Sequence, residues 1–112
     1  MPECITATKK DLEQASLPAT ILGHVGDGNF HVIFSIDPDN PAEMVEVEAI
    51  NARLIQRALA MDGTCTGEHG IGIGKQRWLV EELGDGAVEI MRMIKRAMDP
   101  LDLFNPGKIF AL

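Results

Sequence analysis

The stretch ATILGHVGDGNFHVIFSI, residues 19 to 36, decides how this chain is read. Ala19 to Val25 and Phe30 to Ile36 are rich in residues that favour strands. Between them lie Gly26, Asp27, Gly28 and Asn29, residue types that tolerate the positive φ of a tight turn. The spacing predicts a β-hairpin. With the turn at 26–29, Val25 faces Phe30 and His24 faces His31 across the ladder. Phe30, Val32, Phe34 and Ile36 then fall together on the opposite face, which suits a core.

Outward from the hairpin, the pattern turns helical. Thr8 to Ser16 reads as a short helix with Leu12 and Ala15 inward, ending ahead of Pro18. On the other side, Asp37 to Asn40 breaks the second strand. Asn40 is placed to cap a helix, Pro41 suits its first position and Glu43 its third. Val47, Ile50, Leu54, Ala58 and Met61 follow at helical spacing, with Gly63 as the closing residue. The glycine-dense segment 63–74 cannot be regular helix. Lys75 to Leu83 reads as a short helix stopped by Gly84. Asp85 caps a last helix, with Ala87, Met91, Ile94 and Met98 inward, that halts before Pro100. The expected class is α+β, an antiparallel sheet with flanking helices in one domain spanning 1–112.

Composition narrows the functions available. Ten Lys and Arg stand against 17 Asp and Glu, a formal net charge of −7 with no basic run, so nucleic acid is a poor partner and no membrane-binding patch is expected. No apolar run has the length of a transmembrane segment. Cys4 and Cys65 lie far apart without a CxxC, which fits a reducing compartment, and a cytoplasmic location is expected.

The chemistry gathers in two glycine-rich motifs that hold all three histidines. A single strand histidine is ordinarily a satisfied, half-buried residue. Two on one face of a hairpin are different, because directly opposed residues bring their Cβ atoms to roughly 4.5–5.5 Å. Imidazoles so close repel when both are protonated, and a shared cation resolves that conflict. Glu68 in Gly67-Glu68-His69-Gly70 is the candidate third ligand, since the flanking glycines free the backbone to aim both side chains inward. Two histidines and one carboxylate with open positions make a catalytic metal arrangement rather than a closed structural one. His69 is then the base outside the ligand set, held beside the metal to take a proton from a substrate hydroxyl.

Other motifs fail on inspection. Gly70-Ile71-Gly72-Ile73-Gly74-Lys75 misses both nucleotide fingerprints: the first position of a phosphate loop is His69 here and the last is Gln76. Asp37 and Asp39 lack the glycine and terminal glutamate of a calcium loop. Cys65 has no defined base partner, so covalent catalysis is disfavoured.

Residues 23–31 (GHVGDGNFH), residues 63–72 (GTCTGEHGIG) and the run from Asp99-Pro100 to Phe104-Asn105-Pro106-Gly107-Lys108-Ile109 together resemble the C-terminal domain of FAD-linked oxidases. Within that family the likeness is to cytochrome-type D-lactate dehydrogenases, glycolate oxidases and D-2-hydroxyglutarate dehydrogenases. It covers the chain from about Leu17 to its end. The resemblance implies an incomplete ferredoxin-like substrate or cap domain closing over a separate FAD-binding domain or subunit. It implies zinc or manganese on His24, His31 and Glu68, holding a small 2-hydroxy acid. His69 is then the base, the substrate is oxidised to the 2-oxo acid, and hydride passes to FAD. Asn105 and Lys108 sit on the turn that returns to the flavin, and Asn29 helps order the site. The large FAD domain is absent from these 112 residues, so the chain is expected to be a fragment, a truncated product or one part of a split enzyme, and a homo-oligomer. The alternatives are an inactive metal-binding or oligomerisation module and, less well supported, a metal hydrolase.

Overall fold

The computed structural model describes all 112 residues. The order of elements is helix α1 (Pro2–Glu13), strand β1 (Ala19–His24), a single 3-10 turn (Val25–Asp27), strand β2 (Asn29–Phe34), helix α2 (Pro41–Ala60) and helix α3 (Gln76–Met98). The fold class is α+β. The sequence reading treats the chain as one domain; the structure divides into two compact units, Met1–Gly63 and Thr64–Leu112.

In the first unit α1 starts at Pro2, six residues before the expected Thr8, and ends at Glu13 rather than Ser16. Pro2 pre-sets the first helical turn. Packing overrides the weak helix propensity of Ile5, Thr6 and Thr8 that follow. Cys4 and Thr8 are the buried residues of this helix, while Leu12 is only half-buried and Ala15, also half-buried, lies beyond the helix end. Burying Thr8 requires partners for its hydroxyl, and both exist: it donates to the Cys4 carbonyl at 2.8 Å and accepts from Arg57 Nη1 at 3.0 Å. Arg57 Nη2 also reaches Asp11 Oδ2 at 2.7 Å, joining α1 to α2 through a charged bond. Ser16 is drawn off the helix by Glu46, which accepts its backbone N–H at 2.8 Å and also its hydroxyl.

The α2 helix begins as its cap residues dictate. Asn40 Oδ1 accepts from the Ala42 N–H at 3.1 Å, Pro41 opens the helix, and Glu43 takes the Asn40 amide at 3.0 Å and the Asp37 N–H at 2.7 Å. Ile50 and Ile55 are its buried residues. At its far end the left-handed position falls on Asp62 (φ 57), not on Gly63. The Gly63 N–H returns to the Ala58 carbonyl at 2.8 Å and the Asp62 N–H to Leu59 at 3.1 Å, the paired bonds of a Schellman cap. Gly63 is needed for another reason: a Cβ there would lie 2.8 Å from the Ala58 oxygen.

β1 and β2 form a two-stranded antiparallel sheet. Its turn is residues 25–28, one position earlier than the sequence reading, because Val25 leaves the strand and Gly28 takes the left-handed φ of 68°. Moving the turn by one residue moves each cross-strand partner by two. His24 therefore faces Asn29, and His31 faces Leu22. A two-residue shift preserves the side-chain alternation, whereas a shift of one would have reversed it. Phe30, Val32 and Phe34 remain on the half-buried face with Ile21, and His24 and His31 share the other.

In the second unit α3 is broken at Gly84, whose φ of 78° and ψ of 159° are not helical. The break divides a helix of 76–83 from one of 85–98, as the glycine predicts. The inward set of the latter differs from expectation. Val88 is wholly buried, whereas Ile94 is exposed and Met98 is 81% exposed. Trp78, Leu79 and Cys65 are the other buried apolar residues of this unit.

Candidate metal and proton-transfer site

His24 ends β1 and His31 lies within β2, on one face and diagonal to each other. Diagonal neighbours on a sheet are farther apart than opposed pairs but within reach of long or aromatic side chains. Here the two imidazole centroids are 5.3 Å apart with the rings at 83°, edge to face, and a ring nitrogen of each lies within 4.8 Å of the other. His24 is exposed and His31 half-buried. The tight 25–28 turn produces this meeting, since it closes the hairpin immediately after His24.

Glu68 and His69 belong to the second unit, in the loop between α2 and α3. Glu68 Oε1 lies 3.6 Å from His69 Nε2, with both side chains largely open to solvent. Adjacent residues rarely direct their polar ends together in extended chain, and the loop's glycines relax that rule; Gly70 (φ 75) and Gly72 (φ 54) are both left-handed. The base of the loop is fixed by one bond from α3 and by bonds within the loop itself. Glu82 Oε2 accepts the Cys65 N–H at 2.8 Å, Lys75 Nζ donates to the Cys65 carbonyl at 2.7 Å, and the Thr66 hydroxyl donates to the Gly70 carbonyl at 3.0 Å. Lys75 lies in the run that fails as a phosphate loop, and Glu82 belongs to no motif in the sequence. No local signal marks a carboxylate 17 residues from the backbone group it holds.

The electrostatics of this anchor decide one question of chemistry. Burial pushes the Cys65 thiol up to about 11, with the neighbouring Glu82 adding to the rise. Cys65 is therefore a thiol and not a nucleophilic thiolate at neutral pH. Burial also pushes the Glu82 carboxyl upward, but bonds from Cys65 and Thr64 outweigh it and hold the group below its ordinary value.

Asn105 and Lys108 lie in an exposed turn, closed by the Lys108 N–H to the Asn105 carbonyl at 3.2 Å. Asn105 takes φ 50 and Gly107 φ 68. Ahead of this turn, Lys95 Nζ bonds the Asp99 carboxylate and the Phe104 carbonyl. Asp99 in turn accepts the N–H groups of Leu103 and Phe104, each at 2.9 Å.

Residues 1–109 match the family described as FAD linked oxidases, C-terminal domain. Among curated proteins the chain is 50% identical over its whole length to a probable mitochondrial D-lactate dehydrogenase of Danio rerio, covering 22% of that protein. It is 46% identical over 97% of its length to the mitochondrial D-lactate dehydrogenase (cytochrome) of Arabidopsis thaliana, covering 19% of it. It is 42% identical over 80% of its length to the glycolate oxidase protein GlcD of Bacillus subtilis, also covering 19%. The chain thus spans about a fifth of the length of the curated relatives it matches. These names correct the cytoplasmic expectation, because the relatives from zebrafish, thale cress and two yeasts are mitochondrial. Few cysteines report a reducing environment, and such an environment is not a cellular address.

Proposed function

Because this chain belongs to the family of C-terminal domains of FAD-linked oxidases, we propose that it is the substrate- and metal-binding part of an FAD-dependent D-2-hydroxyacid dehydrogenase. The substrate class is a small 2-hydroxy acid, D-lactate or glycolate, in keeping with the names of the relatives. The observation that carries the reading is the His24–His31 pair, two imidazoles brought together on one sheet face.

His24, His31 and Glu68 are the ligands for a divalent ion, zinc or manganese. The donor set fits, since two imidazoles and one carboxylate satisfy a borderline cation and leave positions open. When bound, such an ion supplies Lewis acidity toward a carboxylate and a vicinal hydroxyl. His69 accepts the hydroxyl proton as the substrate's C2 hydrogen departs with its electron pair. FAD, held by another domain or subunit, supplies the two-electron acceptor. Asn105 and Lys108 face that cofactor. The product is the 2-oxo acid. The chain also self-associates, a reading favoured by the unpaired edges of its two-stranded sheet.

Titration calorimetry with Mn2+ and Zn2+ tests the ligand set. One ion is expected per chain, with binding lost or greatly weakened in His24→Ala and His31→Ala. Equal affinity in the wild type and both variants would remove the assignment.

A further inference from the structure

The loop of Glu68 and His69 and the turn of Asn105 and Lys108 lie more than thirty residues apart in sequence, yet they are tied directly. The Ile109 N–H donates to the Gly72 carbonyl at 2.7 Å, and Gln76 Nε2 donates to the Gly107 carbonyl at 2.7 Å. Ile109 makes its bond at φ 70, a conformation that a β-branched residue adopts only when its surroundings impose it. The turn is thus gripped at both ends. Asp99 and Lys95 fix Leu103 and Phe104 before it, and Gly72 and Gln76 fix Gly107 and Ile109 at its close. The loop is gripped as well, by Glu82 and Lys75 at Cys65 and by the C-terminal segment at Gly72.

We propose that Gln76 is a positioning residue that clasps the C-terminal turn to the glycine loop, so that His69 and the Asn105–Lys108 turn are held in one frame. The inference rests on the roles given above to His69 and to the turn, and it adds a reason for their connection. Removal of a proton and of a hydride from adjacent atoms requires base and acceptor to keep a fixed separation, and small misplacements are costly. A base on one loop and a cofactor-facing turn on another need a link. Gln76, the first residue of α3, provides it from a rigid element.

Amide exchange with water, followed by NMR on the 15N-labelled 112-residue chain, tests the clasp. Gln76→Ala should speed exchange at Ile109 and in residues 66–74 by roughly two- to tenfold, the range expected for one hydrogen bond. Gln76→Glu, which sets an acceptor against the Gly107 carbonyl, should speed it at least as much. Gln76→Lys keeps a donor of similar reach and should return exchange toward the wild type. Hairpin and α2 amides should be unchanged throughout. Loop exchange unaltered in both Ala and Glu variants would overturn the proposal, and so would an equal acceleration across all of α3. Mn2+ titration of the same samples separates the two ideas. A wild-type chain that takes up neither Mn2+ nor, in a parallel titration, Zn2+ defeats the metal reading, while the exchange data still decide the clasp.

Discussion

His69 and Glu68 are neighbours in the chain with opposite assignments, and that contrast makes them separable. Their polar ends are 3.6 Å apart, so changing either alters the surroundings of the other, but the expected losses differ in kind. In a flavin-loaded protein carrying this chain, Glu68→Gln keeps the shape of the side chain and removes its charge, and should weaken metal binding. His69→Ala should leave metal and flavin in place and slow flavin reduction by D-lactate by about 10²–10⁴, the usual cost of a positioned base. Rapid-mixing absorbance at the flavin band reads the second effect and calorimetry the first. A His69 variant that reduces its flavin at the wild-type rate would sink the base assignment. Cys65 offers the control from the same loop. Its thiol, raised to about 11, has no acid–base part at neutral pH, so alkylation sensitivity should not track activity.

Among the elements, the end of α3 is held by charge. The bond from Lys95 holds the Asp99 carboxyl at about 2, below its ordinary value, although burial opposes this; the Leu103 and Phe104 N–H groups add to the lowering. A carboxyl depressed on folding contributes stability that is present above its unfolded value near 4 and is lost as pH falls toward the folded value near 2. Urea midpoints of the wild type should therefore fall between about pH 4 and pH 2. Asp99→Asn should be less stable at pH 7 and show a shallower fall over that window; parallel curves would refute the role. Nothing in the sequence pattern marks this cluster beyond an i, i+4 Lys–Asp pair, because Leu103 and Phe104 contribute only backbone. The same distinction runs through the other elements. Asn40, Pro41 and Glu43 could be read as a helix start because their chemistry acts within a few residues. Gly84 could be read as a break for the same reason. The hairpin was legible as a hairpin, but Val25 is a strand former by type and a turn residue in fact, which displaced the register by two. The histidines kept a common face only because the displacement was even. The inward face of the last helix was not legible, since apolar residues from Ala87 to Met98 surround much of its circumference and periodicity gives no means to choose Val88 over Ile94. Gln76 meeting Gly107 is a contact across 31 residues between two polar positions, and no periodicity encodes that.

At the scale of the whole molecule, large apolar side chains stand exposed along the last helix and the turn that follows it. Ile90, Met93, Ile94 and Met98 on α3, followed by Leu103 and Phe104, are each 54–81% exposed. Where such exposed apolar side chains join into one patch, they mark an interaction site or an aggregation hazard. The sheet compounds the problem, since two strands leave an unpaired edge on each side, and a lone hairpin is marginal without further strands or helix cover. A chain that spans about a fifth of its relatives' length has these surfaces open when it is prepared alone. The 112-residue chain is therefore expected to form a homodimer or larger assembly at micromolar concentration, to purify without flavin and to lack dehydrogenase turnover. Light scattering coupled to size exclusion gives the mass, an absorbance scan of the same peak reports flavin, and a dye-reduction assay with D-lactate reports turnover. Mutating Met98 and Phe104 to Ser, both on the exposed set, should shift the mass toward the monomer while leaving the far-ultraviolet circular dichroism of the helices intact. A yellow, active monomer would show instead that flavin binding and substrate oxidation are not divided between this chain and another domain.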